Sequence, residues 1–218
     1  MKLLELFCGT KSITNVFKEN GEKTFTIDNN SLFEPDLCKD ILEVTKDDIP
    51  FKPEIIWASP PCQCFSVASI GTHWAGGKRG YVPKSHGART SLRLLEHTIN
   101  LINELGPTYF FIENPRGMMR KTRFMKNLVN SGIARHTVTY CQYGDKRMKP
   151  TDIWTNCENW HPRPRCKNGD TCHERAPRGS RTGTQGLKNA TERGRIPKEL
   201  CEEIYLACKK QDNRKLYI

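Results

Sequence analysis

The sequence predicts an α/β protein: a mainly parallel sheet covered by helices, with a small irregular basic insert near its carboxyl end. Two observations carry this expectation. Short apolar runs of strand length alternate with helical stretches, the order of repeated strand–helix–strand units. The polar clusters of interest each stand at the end of such a run, where parallel sheets bind their ligands.

The elements follow in order. KLLELF (2–7) is a buried strand, and Ser12 to Asn20 a helix. KTFTID (23–28) is a second strand ending in an acid, and EIIWAS (54–59) a third, stopped by Pro60 and Pro61. In TSLRLLEHTINLINEL (90–105), Leu94, Leu95, Ile99 and Ile102 recur at helical spacing, and Gly106-Pro107 closes the helix. YFFIENP (109–115) is another strand. HTVTYCQYG (136–144) and TDIWTN (151–156) are expected as a late hairpin or as neighbouring strands, and IPKELCEEIYLAC (196–208) as a helix with Pro197 in its first turn. Two stretches lack periodicity. Residues 67–88, rich in Gly, Lys, His and Ser, are expected to form a functional lid or a disordered segment. Residues 157–195 are rich in Arg, Lys, Gly, Cys and His. The expected organisation is a catalytic unit over 1–156, a basic Cys/His-rich segment over 157–195, and 196–218 as a helix returning to the first unit.

A chain of 218 residues is long enough to bury a core, while an apolar fraction of 36% implies extensive exposed loops. Lys plus Arg number 35 against 24 acids, a net charge of +11. That balance favours a polyanionic partner, nucleic acid first, although a solvated basic surface gives the same composition. MKLLELFCGT is interrupted too soon for the apolar core of a signal peptide, and no apolar stretch approaches the roughly 20 residues of a membrane span. A cytoplasmic protein with no membrane partner is expected. Ten cysteines in a reducing compartment then point to thiolate chemistry or metal rather than structural disulfides.

The stretch ASPPCQCFS (58–66) poses the sharpest question. Cys62 follows a strand end at a Pro-Pro turn, a place from which a side chain is presented into a cleft. Metal clips and redox pairs usually separate their cysteines by two residues, and here one residue intervenes. A single nucleophilic thiolate with Cys64 as bystander fits better, and a buried inert cysteine is the alternative.

The order LELFCGT, SPPCQCFS, FFIENP, QYGDKRMK resembles the cytosine-C5 DNA methyltransferase family. The family's nucleotide-loop motif matches at Phe7 and Gly9. Its Pro-Cys-Gln motif matches at Pro61, Cys62 and Gln63, with Ser66 beyond. Its Glu-Asn-Val motif matches at Glu113 and Asn114, and its Gln-x-Arg-x-Arg motif is echoed around Gln142, Tyr143, Gly144, Arg147 and Lys149. The resemblance implies a Rossmann-like methyltransferase fold with S-adenosyl-L-methionine as methyl donor and DNA as partner, with the target cytosine flipped from the duplex. It implies Cys62 as nucleophile at cytosine C6, Glu113 as the acid near N3, and Arg147 or Lys149 as the cation on O2. The donor would lie over the loop from Phe7 through Gly9, Thr10 and Lys11 to Ser12, with Asp28 on the ribose, Asp40 and Ile41 at the adenine, and Pro60 alongside. Asp28 as a turn residue and Asp40 as a helix cap are the plain alternatives. Gln63, Ser66, Asn114, Lys78, Arg79 and Lys149 are the residues expected to meet the DNA. A small enzyme of this kind suits a bacterial or phage modification system.

The sequence departs from that family in four places, one of them a shortened arginine motif around Arg147. Where family members carry Gly-x-Gly-Gly, this chain reads Gly9-Thr10-Lys11-Ser12, so either the loop takes another path or Lys11 meets the donor's carboxylate. The family's Gly-Asn-Ser segment before the last helix is replaced by GRIPKEL. The sizeable target-recognition domain is reduced to about forty residues carrying Cys157, His161, Cys166, Cys172 and His173. A zinc knuckle on the three cysteines plus one histidine would order so polar a segment; a mobile basic loop with free thiols is the other reading. Arg163, Arg165, Lys167, Arg175, Arg178 and Arg181 around it suit phosphate contacts. A catalytically silent DNA-binding protein on the same scaffold, or the same chemistry on RNA or single-stranded DNA, are the rival functions.

Overall fold

The computed structural model describes residues 1–77, 80–167, 169–174 and 189–210. In chain order the strands are β1 (Lys2–Leu6), β2 (Lys23–Asp28), β3 (Leu37–Cys38), β4 (Ile55–Ala58), β5 (Trp74–Gly77), β6 (Gly80–Pro83), β7 (Tyr109–Pro115), β8 (Ala134–Thr139) and β9 (Pro150–Thr155). The helices are α1 (Ser12–Glu19), α2 (Ile70–His73), α3 (His86–Leu105), α4 (Arg123–Asn130), α5 (Ala190–Gly194) and α6 (Lys198–Lys209). Seven strands form one sheet in the order β3-β2-β1-β4-β7-β9-β8. The first five of these run parallel, and β9 and β8 pair antiparallel at the far end. The mainly parallel sheet expected from the sequence is present.

The sequence explains the layering. Central strands β4 and β7 are buried along almost their whole length, as strands with both faces covered must be. Alternate residues then feed two separate cores. Leu3, Ile55, Trp57, Phe111 and Ile153 face α1 and α6, where they meet Phe17, Leu200 and Ile204. Leu4, Ile56, Ala58, Ile112 and Trp154 face the other way, toward Leu95, Ile102 and Met125 of α3 and α4. On the first face Phe17 and Tyr205 meet edge to face, which seats α6 on α1.

Several elements differ from expectation. Helix α3 begins at His86, capped by the Ser85 hydroxyl, so the aperiodic stretch is shorter than 67–88. Within it α2 is a single turn and β5 and β6 make an antiparallel hairpin. Strand β8 stops at Thr139, and Tyr140–Tyr143 winds into a 3-10 turn closed by Gly144 in the left-handed region. Strand β3, two residues long, and helix α4, whose Phe124, Met125 and Leu128 recur at helical spacing, were not among the expected elements.

Candidate active site

Four strand ends converge at one edge of the parallel sheet. Beyond β1 the chain turns through Phe7, Gly9 and Lys11, all at positive φ. Beyond β2 stands Asp28, whose carboxylate accepts from the Gly9 amide at 3.0 Å and the Asn30 amide at 2.9 Å. Beyond β3, Asp40 accepts from the Leu42 amide and caps a 3-10 turn that begins with the buried Ile41. Beyond β4 lie Ser59, Pro60 and the Cys62 loop. The sequence-predicted donor residues therefore share one edge. Asp28 ties the turn with two amides and Asp40 caps with one, and each carboxylate retains lone pairs that these amides do not occupy. Acceptors for hydroxyl or amino donors beside an apolar Ile41 and a curled loop fit a nucleoside-bearing donor molecule. Lys11 holds the left-handed conformation despite its Cβ, and its Nζ donates to the Glu34 carbonyl. A cleft of about 570 Å³ runs between α1 and α6 and takes in Thr10 and Ser12 but none of Asp28, Asp40, Pro60 or Cys62.

The Cys62 loop is clamped from several sides. The Cys62 carbonyl accepts from the Phe65 and Ser66 amides, and Asn114 Nδ2 donates to the Pro60 carbonyl at 2.8 Å. Trp74 Nε1 donates to the Cys64 carbonyl at 2.6 Å, and the Met118 amide to the Phe65 carbonyl at 2.6 Å. A Cβ on Gly117 would come within 2.2 Å of that same carbonyl, so only glycine permits the approach. The two cysteines part company here. Cys64 Sγ lies against the first turn of α3, close enough that a Cβ on Gly87 would sit 3.1 Å away. Cys62 is half-buried and feels the charges of Glu113 and Lys149. Burial and the Glu113 carboxylate raise its thiol pKa, and Lys149 opposes them.

Glu113 is only 5% exposed, near the end of β7. Its Oε1 accepts from Tyr140 Oη at 3.1 Å, and the Ser59 hydroxyl also bonds to it. Burial pushes its pKa up, while Lys149 and these hydroxyls pull it back. Lys149 is equally buried, with Nζ 2.9 Å from the Arg193 carbonyl and 4.7 Å from the centre of the Tyr140 ring. Its pKa is depressed by burial and supported by Glu113 and Cys62. Asn114 beside it keeps a buried Oδ1 with no partner among the described residues.

Other predicted residues lie elsewhere. Arg147 is spent: its guanidinium pairs with Asp145 and donates to the carbonyls of residues 192, 193 and 195. Its charge is neutralised and its donors are taken, whereas Lys149 lies within the field of Glu113 and Cys62. Gln63 is exposed at the loop tip, and the Ser66 hydroxyl accepts from the Ala68 amide. Lys78 and Arg79, like Arg175, Arg178 and Arg181, lie outside the described residues. Of the expected metal ligands, Cys166, Cys172 and His173 come together, but Cys157 and His161 do not join them. Cys157 is buried against Cys208 of α6, and His161 stands near His136. Their place is taken by Cys141, which the sequence reading passed over because it lies in the QYG stretch before the Cys/His-rich segment. Tyr140 and Ser59 were missed too; a lone Tyr or Ser at a strand end has no motif of its own.

Comparison with known proteins agrees with this geometry. Residues 1–131 match the family model of C-5 cytosine-specific DNA methylase. A protein of Frog virus 3 (isolate Goorha) named "Probable DNA (cytosine-5)-methyltransferase" is 31% identical over 224 aligned residues, spanning 95% of this chain and all of the viral one. The Type II methyltransferase M.HpaII of Haemophilus parainfluenzae is 32% identical over 114 residues, 51% of this chain and 27% of that one. Among solved structures, one described as a DNA modification methyltransferase encoded within an E. coli prophage superposes with a TM-score of 0.53 at 17% identity. It shares the Rossmann-like methyltransferase fold over 76% of this chain, which spans about half of that structure's length.

Proposed function

The chain belongs to the C-5 cytosine-specific DNA methylase family, and on that premise we propose that it transfers a methyl group from S-adenosyl-L-methionine to C5 of cytosine in DNA. The observation that carries this reading is the meeting of Cys62, Glu113 and Lys149 at the ends of β4, β7 and the turn into β9. Cytosine C5 is a poor nucleophile while the ring stays aromatic. Cys62 Sγ, as thiolate, would add to C6, and the electron pair displaced from the C5–C6 double bond would run toward N3 and O2. A protonated Glu113 would donate its proton to N3, and the Lys149 ammonium would hold the charge at O2. The bound donor supplies an electrophilic methyl group at C5. Return of the N3 proton to Glu113, loss of the C5 proton to a base and expulsion of Cys62 Sγ would then restore the double bond, the protonated Glu113 and the free thiolate.

The electrostatics support the order of events. A Glu113 carboxylate opposes ionisation of Cys62, so protonation of Glu113 favours the thiolate, and Lys149 favours it throughout. Burial keeps Glu113 inclined to hold its proton. Asn114 fixes the Pro60 carbonyl and hence the path on which Cys62 is presented. The donor would rest on the edge formed by Phe7, Gly9, Asp28, Asp40, Ile41 and Pro60. The base would be flipped from the duplex, since C6 is unreachable within the stack.

The test is covalent trapping. Incubated with donor and DNA containing 5-fluorocytosine, the wild-type chain should form a protein–DNA adduct, because fluorine at C5 blocks the final elimination. Cys62→Ala should form none and should lose methyl transfer, Cys64→Ala should retain both, and Glu113→Gln should lose about 10²–10⁴ in rate. Undiminished turnover by Cys62→Ala would remove the mechanism.

A further inference from the structure

Cys141, Cys166, Cys172 and His173 bring one ligand atom each to a cluster in which all four atoms lie within 4.8 Å of one another. Cys172 Sγ is 3.7 Å from Cys141 Sγ, and His173 Nδ1 is 3.8 Å from Cys166 Sγ and 3.6 Å from Cys172 Sγ. A tetrahedral zinc ion with ordinary bond lengths sets sulfur–sulfur edges of about 3.8 Å and sulfur–nitrogen edges of about 3.6 Å. Three of the measured edges already have those lengths. The fourth, Cys141 to Cys166, is shorter at 3.1 Å. Three thiols and an imidazole nitrogen converging on one point, with no acidic side chain among them, is a soft donor set suited to zinc.

We propose that this cluster is a closed, four-ligand zinc site of the structural type, and that it fastens the basic segment to the catalytic sheet. The ligands come from two distant stretches. Cys141 stands in the turn Tyr140–Tyr143, directly after the tyrosine whose hydroxyl bonds Glu113. Cys166, Cys172 and His173 belong to the segment that carries Arg163, Arg165 and Lys167. Smaller contacts hold the same junction: the Cys166 amide donates to Thr139 Oγ1, the Glu174 amide to the Lys146 carbonyl, and Gln142 Nε2 to Cys172 Sγ. The segment itself contains little apolar material, so burial alone repays little of its ordering entropy. Thiolate–metal bonds would supply the remainder.

The ligand set separates this site from the one that spacing alone suggests, which would use Cys157. The full chain, expressed with zinc and purified without chelator, should contain about one zinc per chain by elemental analysis. Cys141→Ser should lose it and Cys157→Ser should keep it. Because Cys141 is buried and its replacement could unfold the chain, cobalt exchanged into the wild-type protein gives a second readout. It should show thiolate-to-cobalt charge transfer and the strong visible bands of a tetrahedral ion. Removal of metal should abolish amide protection at residues 166–174 while leaving that of β4 and β7 in place. Metal-free protein, zinc retained by Cys141→Ser, or a Cys141–Cys166 disulfide in protein kept under reductant would each overturn the assignment. None of these measurements depends on methyl transfer.

Discussion

Glu5 stands in β1 between leucines, fully buried, on the face that meets α1. The helix begins after Lys11, which offers no side-chain cap, and Glu5 Oε2 accepts from the Thr14 amide at 3.0 Å instead. A carboxylate from the strand below thus satisfies an orphan donor of the first helical turn. The cost is desolvation, which raises the Glu5 pKa to about 7. A carboxyl whose folded pKa lies above its unfolded value of 4.5 favours folding most when protonated, and that advantage is lost as pH rises through about 7. Ionisation of Glu5 at higher pH therefore costs on the order of 3 kcal/mol. Glu5→Gln keeps an oxygen for the Thr14 amide and cannot ionise. Its melting temperature should match wild type near pH 5 and exceed it by several degrees at pH 8; a difference independent of pH would show that the carboxyl's ionisation carries no weight. Cys62 and Glu113 were legible in the sequence because a motif flags each residue type. Lys149 was legible only as an alternative to Arg147, because the choice depends on how Asp145 and three carbonyls more than forty residues on engage the guanidinium.

At the scale of elements, the turn between β1 and α1 carries the clearest departure from the family pattern. Lys11 adopts φ 54° and ψ 36°, a left-handed conformation that costs an L-residue about 1–2 kcal/mol. The loop therefore keeps a path that glycine would follow, rather than taking another. Lys11→Gly removes the strain but adds freedom to the unfolded chain, worth about 0.4–1 kcal/mol in the opposite sense. The balance should raise the melting temperature by roughly 1–4 °C. Because Lys11 Nζ is engaged with the Glu34 carbonyl, donor affinity measured by titration calorimetry should change little; a large loss would place that ammonium on the donor. Strands β1, β4 and β7 were readable because their apolar runs are nearly continuous, and α3 was readable through its periodic leucines and isoleucines. The 3-10 turn at Tyr140–Tyr143 was not, since its aromatic and cysteine residues suit a strand equally well and only packing against α6 decides between them.

For the whole molecule, the net charge of +11 and the exposed basic residues near the zinc cluster make phosphate contact the expected source of affinity. Binding of duplex DNA should weaken at least tenfold between 50 and 200 mM salt, in line with counterion release from several phosphates. Titration by fluorescence anisotropy at three salt concentrations checks this, and a flat response would leave the basic surface without a role in binding. Among the described residues no helix is long and apolar enough to cross a membrane.

The sequence by itself determined the mainly parallel sheet and its cover of helices, and it singled out Cys62 and Glu113 as the residues to propose for the chemistry. Those features rest on local alternation and on short motifs, both of which survive in one dimension. Only the tertiary structure decided which cation faces Glu113 and which four residues form the metal cluster. It also decided that the Cys64 side chain packs against the first turn of α3. Charge neutralisation and donor geometry are set by groups that folding brings together: the neighbouring Asp145 and the carbonyls of 192, 193 and 195 for Arg147, and Cys141 with His173 for the Cys/His cluster. Spacing along the sequence carries no record of such distances.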